Sequence, residues 1–118
     1  MGDRGNIVIE QYDSSRIYLY SHWGGSGLPT DLKNALAKKW RWHDEAYLAR
    51  IIFDEMTKGE QGEETGYGIS TTPPDNEHPV LVVNCSTQTV RVDGGSQEWS
   101  FSEFIALPNP EEIIDNLD

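Results

Sequence analysis

Asn6-Ile7-Val8-Ile9-Glu10-Gln11 and Arg16-Ile17-Tyr18-Leu19-Tyr20-Ser21-His22 flank the turn cluster Tyr12-Asp13-Ser14-Ser15. Two apolar-rich runs separated by turn residues read as a β-hairpin. Side chains alternate along a strand. Ile7 and Ile9 therefore share one face of the first strand, and Ile17 and Leu19 share one face of the second. The opposite face of the second strand carries Arg16, Tyr18, Tyr20 and His22.

Moving outward, Gly24-Gly25-Ser26-Gly27 ends the hairpin and Leu28-Pro29-Thr30-Asp31 opens a helix, with Pro29 suited to its first turn. Leu32, Ala35, Leu36, Lys39 and Trp40 follow helical spacing. Trp40-Arg41-Trp42-His43 breaks this helix from the next, for which Asp44 is the cap and Glu45 suits the positive end. Tyr47, Leu48, Ile51, Ile52 and either Glu55 or Met56 trace the buried stripe of that second helix, and Gly59 is its stop.

Residues 59–65 form an acidic loop expected to be mobile. Gly66 to Thr71 reads as a strand weakened by glycines. Thr72 to Pro79 is a proline-rich loop. Val80 to Cys85 is apolar on both faces and expected to be central. Thr89 to Val92 and Glu98 to Phe101 are further strands. Ser100 and Glu103 make a capping box for a short helix, and Asn109-Pro110-Glu111-Glu112 starts another. The segment 108–118 is read as a short helix or a frayed tail.

Strands and helices thus run in blocks rather than in alternation. That order predicts an α+β fold, a single domain over 1–118. Its sheet is expected to be mainly antiparallel, with about five to six strands, two main helices on one face and short C-terminal helices.

Twenty acidic residues against nine basic ones give a formal charge of −11. Such a surface disfavours direct nucleic-acid binding and anionic membranes, and attracts basic proteins or metal cations. Solubility and life in high salt are the plainer readings of the same charge. Lys33, Lys38, Lys39 and Arg41 form a basic strip with no acid inside it. The strip is a seat for a phosphate or carboxylate, or simply a solvated helix face. Apolar runs reach only about five residues, so no membrane span is expected. The N-terminus lacks the charged-then-apolar pattern of a signal peptide. A lone cysteine, Cys85, makes no internal disulfide; both features predict a cytoplasmic setting. In its apolar run Cys85 reads as a small buried hydrophobe, with no base nearby to make it a nucleophile.

Chemistry-bearing residues concentrate in two places. Tyr18-Leu19-Tyr20-Ser21-His22-Trp23-Gly24-Gly25 delivers an imidazole at a strand end before a glycine turn. The ligand-binding candidates are Arg4, Asn6, Tyr18, Tyr20, His22, Trp23, Gly24 and Gly25. His22 is the one weak catalytic candidate, and the plainer reading has these groups packing a strand-to-helix corner. Trp40, Arg41, Trp42 and His43 are the partner-binding candidates, or else core and cap. The histidines His22, His43 and His78 have no zinc-ligand spacing, and residues 54–64 lack the calcium-loop pattern. No phosphate-loop, dinucleotide or nucleophile-elbow motif is present, so neither metal nor cofactor is expected.

The stretches Met1-Gly2-Asp3-Arg4-Gly5-Asn6-Ile7-Val8 and Ile17 to Gly25 resemble small, mostly uncharacterised proteins of bacteria, archaea and their phages. Ala49 to Phe53 and Gly66 to Ser70 resemble that group more loosely. The resemblance implies that Arg4, Asn6, His22 and Trp23 form one unit in a cytoplasmic, phage-related setting. It implies no activity.

Three functions remain open from sequence. The first is a non-enzymatic acidic binding protein, such as a phage or mobile-element accessory factor that inhibits a basic host protein. The second is a binder or sequestering protein for a small anionic, nucleotide-type ligand. The third is a small enzyme using His22 as general acid or base. Four tryptophans also make a homodimer conceivable.

Overall fold

The structure is a computed structural model and describes residues 2–116. Strands β1 (Gly5–Glu10) and β2 (Arg16–Ser21) form the expected antiparallel hairpin, with Ile7 opposite Leu19. A short 3-10 turn, Gly25–Gly27, leads into α1 (Leu28–Ala37), and α2 (Glu45–Met56) follows. Then come β3 (Tyr67–Ser70), β4 (Leu81–Asn84), β5 (Thr89–Val92) and β6 (Glu98–Ser100), and last α3 (Phe101–Ile105) and α4 (Pro110–Asp115). The fold is α+β, with one six-stranded sheet in the order β3-β2-β1-β4-β5-β6. The last two positions of the tail expectation, 117 and 118, lie outside the described residues.

α2, α3 and α4 each start where a side chain accepts from a first-turn amide, while α1 follows Gly27 without such a cap. Asp44 accepts from the Tyr47 N–H at 3.2 Å. Ser100 accepts from the Glu103 N–H at 3.0 Å, and Glu103 accepts in return from the Ser100 N–H at 2.8 Å. Asn109 accepts from the Glu112 N–H at 3.3 Å ahead of Pro110. Leu28, Leu32, Ala35 and Leu36 of α1 and Leu48, Ile51, Ile52 and Met56 of α2 supply the buried stripes. They pack with Ile7, Ile9, Leu19, Leu81, Val83, Val90 and Val92 from one face of the sheet. Phe101, Phe104 and Ile114 close that core from the C-terminal helices.

One pairing departs from the antiparallel expectation. β4 runs parallel to β1, with Val8 beside Val82. β3 and β4 therefore point the same way, and the 71–80 connection carries the chain back across β2 and β1. Parallel neighbours need such a crossover, whereas the sequence reads this segment only as a loop.

α1 also stops earlier than its spacing suggests. Lys39 adopts φ 59°, the left-handed conformation that ends a helix, and Trp40 is 58% exposed rather than part of the buried stripe.

Among the described residues the second face of the sheet carries no helix, yet Val8 and Val82 on it are wholly buried. Long polar side chains cover them. Arg91 makes paired bonds to Glu10 at 3.0 Å, and Arg16 makes paired bonds to Asp93 at 3.1 Å. The Arg16–Asp93 pair thus joins the start of β2 to the residue just past β5. Glu10 lies 3.7 Å from Arg16, so four alternating charges form one chain over the apolar pair.

Candidate functional site

β2 ends at Ser21, and the next residue still follows the ladder: the His22 N–H donates to the Gly66 carbonyl at 2.8 Å. This one bond brings the end of β2 beside the acidic segment leading into β3. Tyr20, His22, Trp23, Glu64, Thr65, Gly66 and Tyr67 line an open hollow of about 480 Å³. A second hollow, about 260 Å³, adjoins it and is lined by Trp23, Gly59, Glu60, Glu63, Thr65, Gly66 and Tyr67. Trp23 walls both and is 58% exposed.

The aromatic groups are held in place. The Tyr20 hydroxyl lies 2.7 Å from His22 Nδ1. The His22 and Trp23 rings meet edge to face with centroids 4.9 Å apart. Gly66 has φ 107°, and a Cβ there would stand 3.0 Å from Trp23 Cζ3. The indole thus rests on bare backbone. The Tyr67 hydroxyl donates to Glu60 at 3.0 Å, and burial together with that carboxylate pushes the Tyr67 pKa up.

The charges lining the two hollows are all carboxylates: Glu60, Glu63 and Glu64. Aromatic faces beside carboxylates attract cations, since the ring quadrupole and the negative charges act in the same direction.

No family model, curated protein or solved structure matches the chain. The site therefore has to be read from its own geometry.

Of the sequence candidates, Tyr20, His22 and Trp23 meet at the hollow. Arg4 does not reach it. Its guanidinium bonds Asp75 and Glu77 at 3.1 Å each, on the crossing 71–80 segment. Asn6 is only 4% exposed and donates to the Asp75 carbonyl and to Asn76 Oδ1 at 3.1 and 3.3 Å. Among the described residues Arg4 Nε and Asn6 Oδ1 are buried without partners, a complementary donor and acceptor on the same side of the sheet. The crossover thus occupies the place a ligand would take beside these two residues. Tyr18 sits in the middle of β2 opposite Val8, away from both hollows.

Gly24 and Gly25 do not leave their amides free. The Gly24 N–H donates to Ser21 Oγ at 2.9 Å, and the Gly25 N–H donates to the Asp3 carbonyl at 2.7 Å. A Cβ on Gly25 would come within 2.7 Å of that carbonyl oxygen, so Gly25 is a close-packing residue.

The second cluster divides. Trp42 donates its Nε1–H to the Leu36 carbonyl at 3.1 Å and packs edge-on to Phe101 at 5.4 Å. It belongs to the core side of the turn. The His43 carbonyl accepts from the Tyr12 hydroxyl at 2.5 Å, while its side chain is exposed. Trp40 and Arg41 face outward on a different surface from Trp23, with Tyr47 and Arg50.

Glu60, Glu63, Glu64 and Tyr67 are not among the sequence candidates. Their signal in sequence is an acidic run ahead of a strand. Its meaning appears only through the β2–β3 pairing, in which Ser21 lies opposite Tyr67. Among the described residues no group of three or more metal-ligating side chains converges, and no helix is long and apolar enough to cross a membrane. The Cys85 thiol is buried, and burial with Glu45 and Asp44 nearby pushes its pKa to about 11.

Proposed function

We propose that this chain is a non-enzymatic binding protein that engages a basic protein partner, with the Trp23 hollows receiving a lysine or arginine side chain. One observation carries the reading. An indole 58% exposed separates two adjoining hollows whose charged lining residues are Glu60, Glu63 and Glu64. The net charge of −11 supports it by drawing a cationic partner in from a distance. An anionic surface of this kind can occupy a site that a basic host protein keeps for nucleic acid. The resemblance of residues 1–8 and 17–25 to small phage and prokaryotic proteins favours an accessory factor of a phage or mobile element acting in the cytoplasm.

Titration with oligo-arginine and oligo-lysine peptides, followed through tryptophan fluorescence, tests the reading. Binding should weaken roughly tenfold with Trp23→Ala and by a similar factor when Glu60, Glu63 and Glu64 are all changed to Gln. It should also fall steeply as salt rises. Peptide binding that is indifferent to all four substitutions would remove the Trp23 hollow from the function.

A second reading, a small enzyme using His22 as general acid or base, is favoured by the 2.7 Å contact between the Tyr20 hydroxyl and His22 Nδ1. A reaction abolished by His22→Gln in a variant that still folds would favour this second reading, and the absence of any His22-dependent turnover leaves the first.

A further inference from the structure

The turn between α1 and α2 holds two cations in a backbone conformation that suits neither. Lys39 has φ 59° and Arg41 has φ 56°. Lys39 stands just past the α1 cap, its N–H donating to the Leu36 carbonyl at 2.9 Å, a position that glycine fills at least cost. Strain of this kind concentrates where a side chain is needed for a task.

These residues bracket Trp40. Lys39, Trp40, Arg41, Tyr47, Arg50 and Ile51 line an open hollow of about 520 Å³ with no carboxylate in its lining. On a chain with 20 acids to nine bases, that is a local reversal of sign. Trp40 and Tyr47 are 58% and 50% exposed. The Lys38 ammonium lies over the Trp40 ring at 5.2 Å, and the Arg41 guanidinium lies over the Tyr47 ring at 4.7 Å. Nearby carboxylates are already engaged: Asp54 with Arg50 at 2.5 Å, and Glu55 with Lys38 at 3.6 Å. Among the described residues, Lys39 and Arg41 have no carboxylate partner.

We propose that this surface is a second binding site, separate from the Trp23 hollows, for a free nucleoside monophosphate. The flat base stacks on the exposed face of Trp40, and the phosphate sits between Lys39 and Arg41. Two unpaired cations match the charge of one phosphate dianion, and an exposed indole accepts any base through its π-face. A nucleic-acid strand fits less well. Its further phosphates would have to run over a body of charge −11.

The test is an NMR titration of the indole N–H signals with AMP and UMP, with Trp40 assigned by Trp40→Leu. The Trp40 signal should move with both nucleotides, and inorganic phosphate should compete. The double variant Lys39→Gly, Arg41→Gly should bind roughly tenfold more weakly or worse. Its melting temperature should stay level or rise, because glycine relaxes both positive-φ positions. That pairing of lost binding with retained stability distinguishes a site from a structural turn. An unmoved Trp40 signal at millimolar nucleotide overturns the proposal. So does tighter binding of a single-stranded oligonucleotide than of its monophosphate, or an equal response to a glutamate-rich peptide. Failure here leaves the peptide titration untouched, since that one is judged by the Trp23→Ala variant and this one by the assigned Trp40 signal.

Discussion

Trp23 packs its indole against Gly66, which pairs with His22 just beyond the β2–β3 ladder, so the ring lies where a side chain on Gly66 would have to be. The glycine serves two purposes there. It supplies φ 107°, and it leaves room for the ring at 3.0 Å. Gly66→Ala should therefore cost about 1–3 kcal/mol of stability, from backbone strain and from displacement of the indole. Urea unfolding measures the first effect. A changed Trp23 emission and weaker binding of cationic peptides report the second. A variant as stable as the parent with unchanged peptide affinity would show that the contact is incidental.

Asp31, in the first turn of α1, is pushed up to about 7 by burial and by the like charges of Glu55, Glu111 and Glu60. In the unfolded chain the same group titrates near 3.8. Between those values the folded state holds the extra proton, so this group's contribution to stability falls as pH rises from about 4 to about 7 and then stays flat. Asp31→Asn should add on the order of 1–2 kcal/mol above neutral pH, after allowing for solvent screening, and little below pH 4. Melting temperatures across that range check the slope. A gain independent of pH would mean that packing, not charge, is responsible.

Glu10 has the opposite sign. Hydrogen bonds from Arg91 hold its pKa below the usual carboxylate value, with help from Asn84 and Arg16. Its stabilisation is present above about 4.5, the unfolded value, and is lost as pH falls through the lower folded value. Glu10→Gln leaves Arg91 without its carboxylate over the buried Val8 and Val82 pair. We expect a loss of about 1–3 kcal/mol at neutral pH, shrinking in acid. Chemical denaturation at neutral and acidic pH measures both parts.

Cys85 should resist alkylation in the folded protein. Its thiol is buried and held protonated at neutral pH by burial and the nearby acids. Iodoacetamide should label it at the rate of local opening, and the rate should jump when denaturant exposes β4 and its neighbours. Fast stoichiometric labelling of the native protein would contradict the buried position.

Ser100→Ala removes one half of the reciprocal cap on α3 and should cost about 1 kcal/mol. Because α3 is short and seats Phe101 and Phe104 in the core, the loss should appear in global unfolding rather than as local fraying.

The sequence by itself determined the hairpin, the two amphipathic helices, the three side-chain caps and the α+β class. Each of these rests on residues a few positions apart: alternation in Ile7, Ile9, Ile17 and Leu19, helical spacing in Leu48, Ile51 and Ile52, and an acceptor three residues ahead of an amide. It also placed Tyr20, His22 and Trp23 together, since they are neighbours on one strand end. What the sequence left undecided was every relation set by long-range pairing. Whether β4 runs with or against β1 depends on where the 71–80 segment crosses, and that crossing decided that Arg4 and Asn6 hold a loop instead of lining a hollow. The β2–β3 register decided that Glu60, Glu63 and Glu64 stand beside Trp23. Local spacing carries no information about either, because strand partners are chosen by burial of whole faces in the assembled sheet.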